Sequence, residues 1–234
     1  DLYYPATEKV VNLPFIVKNT ILTGDKNIKN IFFEGENAFI ATGFGALKLN
    51  LRTAEVDFTV FTGVAVNAFA ILNGYYYMGT DDGLFRVAIN DVNPADFSRW
   101  QLLDSAQGFS GGATVQALAI FNGALYAGIK SSGLLKYNGT NLATVVHQTG
   151  DLSVTLLTTE GAGLVSVWKK DGVGKVLYFD ANDNFEEVQG PCSAQRALDA
   201  VEDGSRKFWF ADEFDQFRYL DMAVGTCDFF DFNS

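Results

Sequence analysis

A single histidine, His147, and two cysteines, Cys192 and Cys227, make up the whole imidazole and thiol inventory of this 234-residue chain. A zinc site built on several histidines is excluded, and cysteines 35 residues apart lack the CxxC spacing of a metal or redox motif. A disulfide between them and two buried thiols both remain open, because a bridge requires Cα atoms within about 7 Å. His147 accompanies no recognisable Ser or Cys nucleophile motif, so it reads as a surface or packing residue just beyond the fourth strand of a sheet. The acids Glu186-Glu187, Glu202-Asp203 and Asp212-Glu213 are adjacent in sequence, and neighbours on a strand point to opposite faces. None of these pairs alone presents two carboxyls to one substrate. Asp180 to Glu186 offers oxygen donors at alternating positions, but Phe185 and Pro191 stand where a calcium loop needs Gly and Glu. That segment reads as a polar hairpin tip. Gly108-Phe109-Ser110-Gly111-Gly112 lacks the Lys-Ser/Thr of a phosphate loop, and Asn138-Gly139-Thr140 reads as a turn before it reads as a glycosylation acceptor. No catalytic residue, metal or cofactor is therefore expected.

These residues must be held by a chain that is 48% hydrophobic and only 19% charged, which is enough apolar material for a sizeable core. Seventeen basic against 28 acidic residues give a formal charge of -11, so nucleic acid would meet a repulsive field. No run approaches the roughly 18 apolar residues of a membrane span. Nothing after Asp1 has the pattern of an export leader, so the chain reads as never exported or as already processed.

Aromatic and β-branched residues fill short apolar runs that Gly, Asn and Asp interrupt every few residues, which is strand and hairpin punctuation. One unit recurs: an apolar strand, a turn, a second strand ending in small residues, a Gly-containing turn, and a third strand. The clearest copies run through residues 31–33, 38–42 and 45–47, then 70–72, 75–79 and 83–85, then 119–121, 124–128 and 133–135. Looser copies run through 156–157, 164–168 and 176–179, and through 200–201, 208–211 and 217–220. Equivalent positions Phe39, Tyr76, Leu125, Leu164 and Phe208 are 37, 49, 39 and 44 residues apart, the length of a four-stranded blade. The expected fold is an all-β propeller of about five blades; a sandwich of unrelated hairpins would not repeat the same Gly at the same turn. Asn73-Gly74 and Asn122-Gly123 fall between first and second strands, where a type I′ turn needs positive φ at both positions. Residues 1–26 read as the outer strands of an incomplete blade with a linker, and 27–234 as blades plus a terminal strand from Thr226, in a single domain.

The segments Val10-Val11-Asn12-Leu13-Pro14, residues 23–33 beginning Thr23-Gly24-Asp25-Lys26, and residues 38–47 resemble the amino-terminal propeller of PorZ-type proteins of the Bacteroidetes type IX secretion system. Phe232-Asn233-Ser234 resembles the junction with the next domain in that family. The resemblance is fullest over 9–56, extends through the copies to 137, and is architectural beyond. It implies a non-enzymatic component of a cell-surface attachment complex, exported to the surface or periplasm of a Gram-negative bacterium. It also implies handling of anionic lipopolysaccharide beside a sortase-like partner. Against the family pattern, the opening blades, a second propeller and a carboxy-terminal β domain are missing, so the chain is expected to be a fragment or an excised domain. Sensor propellers of two-component-type regulators share the blade pattern.

In a propeller the second-to-third strand turns share one rim. Phe44, Asp81, Asp82, Lys130, Lys169, Lys170, Asp212 and Glu213 are expected there as contacts for an anionic glycan or a partner protein. The three lysines carry the argument, since an acidic protein that holds a polyanion needs a local cationic patch. A polysaccharide lyase or hydrolase, the competing class, would instead need converging acids, or Tyr and His, on that rim.

Overall fold

A computed structural model describes residues 2–12, 14–20, 22–140, 143–147, 152–159, 163–170, 173–188, 197–203, 205–212, 217–222 and 224–230. It forms two compact units, residues 1–105 with 109–114, and residues 106–108 with 115–234. The first unit opens with a hairpin of β1 (Leu2–Tyr4) and β2 (Lys9–Val11), followed by α1 (Phe15–Lys18), the one α-helix among the described residues. Its first sheet consists of β3 (Ile28–Glu34), β4 (Asn37–Thr42), β5 (Gly45–Asn50) and β6 (Glu55–Phe61). Its second consists of β7 (Val66–Leu72), β8 (Tyr75–Thr80), β9 (Gly83–Ala88) and β10 (Gln101–Leu103).

The second unit holds three sheets. The third sheet is β11 (Val115–Phe121), β12 (Ala124–Ile129), β13 (Gly133–Tyr137) and β14 (Thr144–His147); the fourth is β15 (Ser153–Thr158), β16 (Leu164–Lys170), β17 (Val173–Phe179) and β18 (Phe185–Glu187). The fifth is β19 (Ala197–Glu202), β20 (Lys207–Asp212), β21 (Phe217–Asp221) and β22 (Thr226–Phe230). All five are antiparallel meanders in chain order, and the triplets read from the sequence are their first three strands. The expected terminal strand is the fourth strand of the fifth sheet, paired to β21. His147 corrects an expectation: it is the last residue of a fourth strand, opposite Leu134, because the outer strand runs one ladder position further than its apolar pattern implies.

Local chemistry explains the repeat. Asn73 and Gly74 have φ of 50° and 78°, and Asn122 and Gly123 have 49° and 73°, the left-handed pair that a two-residue hairpin needs. In the first two sheets the next turn is closed by a threonine. Thr42 Oγ1 donates to the Gly45 carbonyl at 2.8 Å, and Thr80 Oγ1 to that of Gly83 at 2.9 Å. Gly45 sits at φ 149°, and the Val60 carbonyl oxygen occupies the space that a Cβ would need, so no side chain fits between β5 and β6. Every first strand also carries a register shift just after its start, at Ile28/Asn30, Val66/Ala68, Val115/Ala117, Val154/Leu156 and Ala197/Asp199. A bulge there adds twist where the strand enters its sheet.

Packing is two-sided. Phe39, Ala41, Phe69 and Tyr76 join the first and second sheets, with Phe39 and Phe69 stacked at 4.6 Å. In the other unit, Tyr126, Leu134, Val154 and Trp168 join the third sheet to the fourth, and Val165, Val176, Phe208 and Phe210 join the fourth to the fifth. The fourth sheet therefore buries alternate residues of β16 and β17 toward each neighbour. Gly128 marks the closest approach: a Cβ there would stand 2.6 Å from Val154 Cβ. Gly128→Ala should lower unfolding stability by about 1–3 kcal/mol through this overpacking. A denaturant midpoint unchanged from the parent would show that the sheets yield at that contact.

Candidate functional site

The rim residues expected from the sequence fall in both units. In the first, Phe44 is buried at 5% exposure and packs on Phe61 at 5.8 Å, so its ring belongs to the interior of the turn. Asp81 and Asp82 are exposed in the β8–β9 turn. Asp81 Oδ1 accepts from Asn67 Nδ2 at 2.9 Å and its carbonyl accepts from Thr114 Oγ1 at 3.1 Å, while the Asp82 N–H donates to Thr80 Oγ1.

In the second unit the lysines stand at one end of two adjacent sheets, with Lys169 and Lys170 on opposite faces of the fourth. Lys130 is exposed in the β12–β13 turn. The next residue, Ser131, has φ 57° and donates its N–H to Ser153 Oγ at 3.2 Å. Ser153 opens β15 directly opposite Lys169, and Lys170 closes β16 opposite Val173. The turn carrying Lys130 is thus fastened to the strand end carrying Lys169 and Lys170. Asp212 ends β20, at the second-to-third strand turn of the fifth sheet, while Glu213 lies outside the described residues, as does Cys192 with the disulfide expectation.

The sequence reading passed over Lys175, which stands opposite Trp168, two residues from the end of the β16–β17 ladder. Counting the register back from Lys170 and Val173 is the signal that finds it. Trp168, Leu177 and Phe179 face the third sheet, whereas Val165, Val167 and Val176 face the fifth. By strand alternation Lys170 and Lys175 lie on the face toward the third sheet, and Lys169 on the other.

His147 sits on that same face. Its ring is 4.1 Å from Phe185, edge-on to Trp168 at 5.4 Å and to Phe179 at 6.1 Å, and its Nε2 is buried without a hydrogen-bond partner. Burial, reinforced by the charge of Lys175, holds its pKa below the ordinary 6.5. This is a packing histidine.

The segment weighed as a calcium loop has its carboxylates engaged within the turn and with the third sheet. Asp180 accepts from Asn184 Nδ2 at 3.0 Å and from the N–H groups of Asn182 and Asn184, which hold it below the usual carboxylate range. Asp183, at φ 63°, accepts from the Tyr126 hydroxyl and, at 2.7 Å, from Lys136 Nζ. Burial first, and then Asp183, push the Tyr126 phenol up to about 12. The hairpin tip therefore ties the fourth sheet to the third, helped by Asn122 Nδ2 donating to the Ala181 carbonyl at 2.9 Å. No three His, Cys, Asp or Glu side chains among the described residues converge as metal ligands.

Residues 1–101 match the family model of the N-terminal β-propeller domain of PorZ, of the type IX secretion system. PorZ of Porphyromonas gingivalis, described as an essential bacterial surface component of that system, superposes with a TM-score of 0.76 at 20% identity. The alignment covers 96% of this chain and 29% of PorZ. The extracellular domain of a protein described as a hybrid two component system of B. thetaiotaomicron aligns at 0.66 with 14% identity, over 88% of this chain and 28% of that one. A β-propeller domain of Myceliophteria thermophila Cps50 aligns at 0.66 with 11% identity, over 88% of this chain and 73% of its own. The fold is a β-propeller. The resemblance read from residues 10–47 is the one that the family model finds. No curated relative matches the chain by sequence, and the chain spans under a third of the PorZ structure it resembles.

Two energetic outcomes are expected from this geometry. Asp183→Ala should cost about 1–3 kcal/mol in urea, because Lys136 and the Tyr126 hydroxyl lose a charged acceptor in a half-buried site; an unchanged midpoint would remove the tie. His147, with its folded pKa depressed, contributes stability that is complete above pH 6.5 and falls as pH drops from 6.5 toward that lower value. His147→Phe should flatten this slope, which melting temperatures between pH 7.5 and 5 will read.

Proposed function

We propose that the chain is the propeller part of a non-enzymatic, PorZ-like component at the cell surface or in the periplasm, binding an anionic glycan through the rim of Lys130, Lys169 and Lys170. One observation carries this reading: the Ser131–Ser153 bond joins the Lys130 turn to the strand end of Lys169 and Lys170 in a chain whose formal charge is -11. Cations gathered at one end of adjacent sheets attract polyanions against an acidic background. The PorZ-like match over residues 1–101 supports a place in a secretion complex; lipopolysaccharide is the anionic glycan proposed there, and a sortase-like protein the proposed partner. Asp81 and Asp82, exposed in a turn of the first unit, would meet a protein partner rather than the glycan. Binding without turnover is the chemistry proposed, with rigid sheets presenting turns as contacts.

The triple variant Lys130→Glu, Lys169→Glu, Lys170→Glu should abolish binding of dextran sulfate, the probe polyanion, and parental binding should weaken with rising salt because exposed charges are screened beyond about 8–10 Å. Undiminished binding by the triple variant would move the site elsewhere. Cleavage of a polysaccharide by the purified chain would overturn the non-enzymatic reading.

A further inference from the structure

The chain carries three Asn-Gly pairs, and the fold treats each differently. In such a pair the side-chain amide is open to attack by the following backbone nitrogen, because glycine puts no Cβ in the way. Asn73 and Gly74 sit in a left-handed hairpin turn, and the Gly74 carbonyl accepts from the Ile89 N–H at 2.9 Å. Asn122 and Gly123 form the same turn, but there the amide itself is engaged, with Nδ2 donating to the Ala181 carbonyl at 2.9 Å. Asn138 is exposed just past the end of β13, and its side-chain carbonyl is an acceptor. Its Oδ1 takes the Thr140 N–H at 3.0 Å and the Thr140 hydroxyl at 3.2 Å, and Gly139 between them has φ 92°. This ring folds the side chain over the next peptide as a β-turn folds backbone, which brings Asn138 Cγ beside the Gly139 nitrogen.

We propose that Asn138 is a site of spontaneous modification, at which Gly139 attacks the Asn138 amide and residue 138 becomes aspartate or isoaspartate. The Gly139 nitrogen gives its proton to solvent base and bonds to Asn138 Cγ. The bond from Cγ to Nδ2 then breaks, and that nitrogen leaves as ammonia with protons from solvent. One water opens the resulting succinimide, at one carbonyl to aspartate and at the other to isoaspartate, and no electrons are transferred. Thr140 is the positioning residue, since its two donors face the oxygen on which negative charge develops as Cγ becomes tetrahedral. The other two pairs resist the same step. Attack by Gly74 would twist a turn fixed by its hairpin and by the Ile89 bond, and the Asn122 amide would first have to leave Ala181. Both ladders of β13 stop before residue 138, at Tyr137 toward β12 and at Lys136 toward β14, so the sheet survives the change.

The experiment incubates the whole chain in mildly alkaline ¹⁸O-water and follows the three Asn-Gly peptides by mass spectrometry after digestion. The peptide holding residue 138 should show the amide-to-acid change with one labelled oxygen, as separable aspartate and isoaspartate forms. It should convert about tenfold faster than the peptides holding residues 73 and 122, the rate equivalent of one hydrogen bond. In urea, where the side-chain ring and the hairpins are lost, the three should convert at similar rates. Thr140→Val removes one of the two donors and should slow conversion at Asn138 about three- to tenfold without moving the other two. Thr140→Ser keeps both donors and should restore the parental rate. Conversion at Asn138 no faster than at Asn73 or Asn122, a ranking that persists in urea, or a parental rate in Thr140→Val would overturn the proposal.

Discussion

A four-stranded antiparallel sheet that is apolar on both faces cannot stand in water by itself. The rest of this protein depends on covering each such face with a neighbouring sheet. The fourth sheet shows the arrangement complete, with Trp168, Leu177 and Phe179 buried toward the third sheet and Val165, Val167 and Val176 toward the fifth. Close approach between such faces requires small residues at defined places, as Gly128 against Val154 illustrates. The repeated Gly at the start of the third strand meets a different demand, a φ that side chains rarely adopt combined, at Gly45, with backbone at contact distance.

Polar side chains in this frame divide between holding sheets together and facing solvent. Tyr126, Lys136 and Asp183 link the fourth-sheet hairpin to the third sheet, while Arg206 donates to Glu186 and lies over the Tyr178 ring at 4.8 Å, linking the fourth sheet to the fifth. These groups are engaged with one another, which is why an oxygen-rich segment such as Asp180 to Asn184 closes a turn. Lys130 and Lys170 are exposed where turns leave the packed interior.

Function placed on turns can vary in charge while the sheets beneath remain under the constraint of two-sided burial. His147 belongs to the interior side of this division, its ring set edge-on to the buried Trp168.

The blade repeat, the second and third strands, the Asn-Gly hairpins and the PorZ-like resemblance were legible in the amino-acid order, because strand alternation and left-handed turn residues are local properties. The fourth strands were mostly illegible: β10 and β18 are three residues long, half-exposed, and carry little apolar pattern. The lysines were legible as residues, but their assembly depended on the Ser131–Ser153 bond, which spans 22 residues, and on the register that sets Lys175 opposite Trp168. Phe44 looked like a rim contact because it sits in a turn, and only packing against Phe61 turned it inward. Periodicity along the chain determined which residues form strands and which face of each is apolar. Tertiary structure alone decided which strand ends meet, because sheet-to-sheet contact is set by side chains far apart in sequence that share one buried face.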